Sequence, residues 1–439
     1  MNILLALALA WASEPPPVGA GIALQLPTPE VHWLSDGTPV WIIEEHGVPL
    51  VRVEVSLRQG YLTASDPLAA LLAGGLVGEA EQRIGVGAAR VWADVEVLRG
   101  GEEAALAALR EALLQPRLSS HAVRTRRRHL ARSRASLVGV PGRVHNAALS
   151  QALFPDGHPL ALRPTARDYR RITPARVRAA WSEVVWSGMP AILVVGDTTA
   201  AEILPKLESH LLWLGGEGTP MSLPLPAWQG EQVVMVDVPG SRRSWITLTL
   251  PAPALGEPGL PAAEVATRVL GGDFTSRLSA RLREQEGYVY DISASLTSWP
   301  GMGRLEITCS VSNDDLINAL DALRAVVDGM SDTPPTAAEV DAARRAMVLQ
   351  RAREIGSLSG LAADYGVGQV YGLDVDHEAR RFVEYADLTL AEIEQAAAAL
   401  LQPDSSLLLI TGDGEVIEPI LEQSAWAPTR IRAGYSALP

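Results

Sequence analysis

Residues 269–290 read VLGGDFTSRLSARLREQEGYVY and hold the side chains best spaced to act on another molecule. The local pattern is a helix, a glycine turn, a second helix, a glycine and a strand. That order sets Arg283 near the end of the second helix and Tyr290 on the strand, where the two converge on one cleft. A fixed guanidinium and a phenol hydroxyl there offer hydrogen bonds to a carbonyl or oxyanion. The plainer alternative pairs Arg283 with Glu286 and packs Tyr290 at a strand edge.

Other chemistry is weaker. The eight histidines never stand as H-x-x-x-H, H-E-x-x-H or H-x-x-E-H, so the helical pair that grips zinc is missing. Glu44-Glu45-His46 closes a strand whose alternation turns Glu45 away from its neighbours, a poor chelate. There is no G-x-S-x-G elbow. Cys309, the only cysteine, sits in an alternating strand without a local base, which suits a buried small hydrophobe and excludes a disulfide within the chain. Gly271-Gly272 lacks the lysine of a phosphate loop and reads as a helix C-cap. Arg124, Arg126, Arg127, Arg128, Arg132 and Arg134 cover several faces of one helix that begins near Ser119-Ser120. A solvated face paired with Asp and Glu accounts for them; a hold on peptide carboxylates is the alternative.

Two copies of one plan position these side chains. Ile172, Thr173 and Gly196 are answered by Leu388, Thr389 and Gly412, each 216 residues on, so a helix with a threonine N-cap and its following strand occur twice. The alternating stretches 40–44 and 51–57 return 193 residues later as 233–237 and 244–250. An apolar helix ending Gly74-Gly75 matches one ending Gly271-Gly272, 197 on, while Leu106 matches Leu320, 214 on. The first copy therefore lacks about 17 residues between Gly75 and Leu106.

At 439 residues, 47% apolar and 20% charged, the chain suits two globular domains and excludes a single small module, a collagen or wholesale disorder. A net charge of −14 is the wrong sign for a nucleic-acid binder. The expected fold class is α+β: two homologous α/β sandwich domains at 20–214 and 231–439, each an antiparallel-rich sheet covered by helices, joined through the turn-rich stretch 215–230. Residues 3–12 are almost purely apolar and end Ala10-Trp11-Ala12, as a signal peptide over 1–12 would, although Met1-Asn2 brings no basic residue. So short a run cannot cross a bilayer core of ~30 Å. A soluble exported chain, periplasmic or in the cell envelope, is the expectation.

The run 269–290 resembles the C-terminal-half signature of the insulinase-like M16 peptidases, G-G-x-F-x-S-R-L-x-x-x-L-R-E-x-x-G-x-x-Y. Leu153-Phe154-Pro155-Asp156-Gly157-His158-Pro159 is similar to that family's L-F-P-x-x-H-P segment. The resemblance implies the two-copy plan and makes Arg283 and Tyr290 substrate-binding residues. Active members carry an inverted zinc motif, H-x-x-E-H, on the first helix of the N-terminal half and a third ligand, Glu, on a later helix. Here the matching stretch places Ala70 and Gly74 at the two histidines, Ala73 at the general base and, near the glutamate, Arg132. Methyl groups supply no lone pair, and a guanidinium repels a cation.

The resemblance thus implies a degenerate member with no catalytic residue and no metal of its own, zinc being expected only in a partner subunit. Its expected role is that of a non-catalytic subunit which binds and orients peptides in a chamber shared with an H-x-x-E-H homologue, as a heterodimer, with no nucleic acid and no membrane span. A structural or peptide-binding scaffold without proteolytic role is the alternative. A metallopeptidase using unusual ligands such as His121 or His129 comes third.

Overall fold

The computed structural model describes residues 26–77, 82–135, 140–154, 158–162, 164–212, 230–402 and 405–432. The expected signal peptide, and the expected linker up to residue 229, lie outside them.

The alternating, β-branched stretches form strands. β1 (Glu30–Trp33), β2 (Pro39–Glu44), β3 (Leu50–Leu57), β4 (Gln82–Val86), β5 (Val91–Leu98) and β6 (Pro190–Gly196) build one sheet in the order β1-β2-β6-β3-β5-β4. β7 (Gln232–Asp237), β8 (Arg243–Ala252), β9 (Val289–Trp299), β10 (Met302–Ser312), β11 (Leu407–Gly412) and β12 (Arg430–Arg432) build the other in the order β12-β7-β11-β8-β10-β9. Both are mixed and antiparallel-rich: β2 with β6, β7 with β11 and β7 with β12 are the parallel pairs. The fold is the expected α+β one, with helices packed on the sheets.

The repeat offsets return as hydrogen-bond register. Val40 faces Ile192 as Val233 faces Leu408. Val53 faces Val194 as Ile246 faces Ile410, and Leu57 faces Val91 as Leu250 faces Leu305. Thr173 and Thr389 both cap helices, accepting from the backbone N–H of Arg176 and Glu392. The missing residues are also visible. After the helix Leu260–Gly271 the second copy inserts a π-helical segment, Ser279–Gln285, before β9, whereas few residues separate the helix Pro67–Gly74 from β4.

Each half lends one helix to the other's sheet. The helix Pro141–Leu153, from the first half, lays Val144 and Ala148 on Val234, Val236, Leu407 and Leu409. Leu358–Tyr371, from the second, lays Leu361, Ala362 and Tyr365 on Trp41, Ile43, Leu193 and Val195. One sheet face therefore packs on its own half's helices and the other on a borrowed one.

Polar contacts fix both exchanges. Gln369 Nε2 donates to the Ile192 carbonyl at 3.0 Å. His145 is fully buried, with Nδ1 2.9 Å from Thr411 Oγ1 and Nε2 2.8 Å from Thr247 Oγ1. Burial pushes its pKa down to about 3 from the usual 6.5. The unfolded chain then binds the extra proton, so stability is complete above pH 6.5 and falls as pH drops toward 3. The expected loss is ~1.4 kcal/mol per pH unit in that window. Urea midpoints of the wild type and of His145→Gln, followed on acidification from neutrality, check this: the variant should lose part of the slope between neutrality and the range where carboxylates titrate. Equal slopes would show that His145 is protonated as freely in the fold as out of it.

Candidate functional site

The helix Pro67–Gly74 starts from Asp66, whose Oδ1 accepts from the Ala69 N–H at 3.2 Å, with proline at the first helical position. Ala70 and Ala73 are fully buried in the core of the first half. At Gly74 the edge strand β4 crosses so closely that an added Cβ would stand 2.6 Å from Val86 Cγ2 and 2.9 Å from its backbone nitrogen. A side chain enters there only if Val86 and its strand give way, and a histidine demands the most. The next residue, Gly75, lies under the guanidinium of Arg126, whose Nη2 is 2.6 Å from where its Cβ would be.

Arg126, then, is the cation at the end of this helix. Arg132, which the resemblance sets at the position of the third ligand, is exposed on the same helix, Ser120–Ala135, about 120° around it from Arg126. Arg126 Nε is buried and has no hydrogen-bond partner among the described residues. His121 and His129 are exposed on the same helix. Among the described residues no group of three or more His, Cys, Asp or Glu could hold a metal ion. The residues at the motif positions thus do not fit zinc: two methyl groups, a glycine packed against β4, and a guanidinium beside them.

The arginine run is solvated at Arg124, Arg128 and Arg132, as the sequence suggests, but lacks the carboxylate partners expected of it. Arg127 Nη1 donates to the carbonyls of Arg170 and Ile172, at 3.1 and 2.9 Å. Among the described residues Arg124, Arg126, Arg127, Arg128 and Arg132 make no ion pair with a carboxylate, because the neighbouring helix Ala166–Arg171 is itself arginine-rich.

In the second half, half of the 269–290 run is anchor. Arg277 Nε and Nη2 grip Glu339 at 2.7 and 2.8 Å and hold its carboxyl down at about 2, while Leu278 and Leu282 are buried. The other half is displayed. The Arg283 guanidinium lies 4.7 Å from the Phe274 ring centroid and 5.8 Å from that of Tyr290. Phe274 is 75% and Tyr290 85% exposed, large aromatic surfaces left to solvent.

Two backbone irregularities produce this display. Ser279–Gln285 is wound as a π-helix, so Glu286 N–H reaches the Arg281 carbonyl, and Gly287 then turns at φ 70°. On β9 the register slips against β10: Ile292 faces Cys309 but Val289 faces Val311, leaving Tyr290 and Asp291 opposite Ser310 alone. This bulge exposes both residues and aims Tyr290 outward. Of the plainer pairing, Glu286 is taken by Arg281 at 2.9 Å, and Arg283 reaches Glu284 at 3.3 Å instead. β9 is a sheet edge, so its outer N–H and C=O groups have no strand partner in this sheet. Together they can take an extended peptide and present a cation and a phenol to its carbonyls.

Phe274 is the residue that sequence reasoning passed over; it was legible as the one aromatic between Gly272 and Arg277. Cys309 is buried and burial pushes its thiol up to about 12, which removes it as a nucleophile.

Residues 171–347 match the family model described as peptidase M16 inactive domain. The chain is similar in structure to a peptidase M16 inactive domain from Pseudomonas fluorescens, at 18% identity and TM-score 0.81, covering 88% of this chain and 98% of that one. A protease from Helicobacter pylori follows at 14% identity and TM-score 0.75, covering 88% and 100%. The periplasmic protease PqqL from Escherichia coli aligns at 13% identity and TM-score 0.69 over 95% of this chain but 50% of its own. No curated protein sequence matches. Among the described residues no helix is long and apolar enough to cross a membrane.

Proposed function

We propose that this chain, a degenerate homologue of the M16 peptidases, is a non-catalytic subunit that binds and orients peptides in a chamber completed by an H-x-x-E-H homologue. One juxtaposition carries the reading: the displayed Phe274, Arg283 and Tyr290 beside a free sheet edge, in a chain whose motif helix is packed shut at Gly74. A binding wall without a catalytic wall has work to do only where a second chain supplies the metal. The PqqL likeness supports it, since this chain spans half of that protease. The strands of the two sheets fall within 30–196 and 232–432, which supports a division near 215–230. Export rests on the apolar run 3–12.

The test is reconstitution. Purified chain, purified partner with an intact inverted motif, and the mixture are assayed against a peptide library. Cleavage should appear, or rise at least about tenfold, only on mixing, and co-elution should accompany it. Cleavage by the partner alone at the rate of the mixture would leave a scaffold without proteolytic role as the reading.

A further inference from the structure

The chain is acidic as a whole, yet one surface is not. The helix Ser120–Ala135 carries six arginines and no carboxylate, and Ala166–Arg171, packed against it, adds three arginines to a single aspartate. Asp168 is spent in a capping box with Thr165. The Arg127 guanidinium, bonded to the Arg170 and Ile172 carbonyls, ties the two helices together.

Six of these arginines are exposed. Arg124, Arg128 and Arg132 recur every fourth residue, which strings them along one face of the longer helix. Arg167, Arg170 and Arg171 sit at i, i+3 and i+4, one face of the shorter. Among the described residues none of the six forms an ion pair with a carboxylate. So dense a cluster, against the single carboxylate of Asp168 on these two helices, is costly to the free protein through like-charge repulsion.

We infer that this arginine face binds acidic polypeptide, runs of Asp and Glu whose carboxylates the guanidinium forks take in pairs. The face suits a bilayer less well: neither helix exposes a large apolar side chain that could enter the headgroup boundary. Nucleic acid is disfavoured by the field of the whole chain and by the lack of an exposed aromatic on either helix to stack a base. The inference names the class of peptide for the role proposed above and rests on that role only for its setting.

The test needs the single chain and no partner. Fluorescence anisotropy of labelled oligoglutamate should show binding that weakens as NaCl rises from about 0.05 to about 0.5 M. R124E/R128E/R132E, and the milder R124Q/R128Q/R132Q, should each weaken it about tenfold or more with unchanged melting temperature. R345E/R353E/R380E, an equal charge change in the second half, should leave most of it. Absence of oligoglutamate binding, or equal affinity in the first-half variants, overturns the inference. So does variant-sensitive binding seen only with phosphatidylglycerol-containing vesicles or single-stranded DNA. Failure of the reconstitution with a partner would leave this result untouched.

Discussion

Rebuilding the inverted zinc motif as Ala70→His, Ala73→Glu and Gly74→His is expected to yield a chain that misfolds, not a peptidase. The obstacle is geometric before it is chemical. A Cβ at position 74 meets both the side chain and the backbone of Val86, so trimming Val86 relieves only part of the clash. Gly74→Ala alone should cost ~1–3 kcal/mol by overpacking. Ala70 and Ala73 are fully buried, and a histidine and a glutamate there would bring unpaired polar groups into the core as well. Thermal melts of Gly74→Ala, Gly74→Ala with Val86→Ala, and the triple variant measure this series. The double variant should regain some stability but not all. A folded triple variant holding stoichiometric zinc would show that the helix and β4 are further apart than this packing has them.

In the reconstituted pair, Arg283→Ala should lower kcat/KM about 10²-fold, the range seen when one donor to a developing oxyanion is removed. Tyr290→Phe should cost about tenfold, having lost one hydroxyl and kept the ring. Both side chains stand outside the core, so melting temperatures should stay where they are and the loss can be read as binding or orientation. Arg283→Lys is expected to recover little, because a planar guanidinium lies against Phe274 and Tyr290 where a compact ammonium would not. Unchanged turnover in both Arg283→Ala and Tyr290→Phe would remove these residues from the site.

Much of the architecture was legible because a duplicated sequence prints its register twice. Offsets of 193, 214 and 216 residues reappear as matched strand pairs, and a strand register admits no one-residue slip without turning every side chain over. Helix phase is not printed in this way. The resemblance sets Arg132 at the position of the third ligand, and nothing in the spacing showed that Arg126, six residues earlier, lies against Gly75 at the end of the motif helix. The bulge at Tyr290–Asp291 left no mark on the sequence, since Val-Tyr-Asp-Ile reads as plain alternation until Ser310 is found facing two residues. Nor could the helix exchange be read: the apolar stripe Val144, Ala148 says that a sheet must lie beneath it, not whose sheet.

That exchange bears on how such a chain holds together. A lone half would own a sheet with one face bare and a helix with nowhere of its own to lie, and two identical copies would each answer the other's need. That reciprocity is the arrangement of a domain-swapped pair, here joined in one chain. Expressed today as separate fragments split near residue 220, the halves should be sticky apart and should find each other in a test tube.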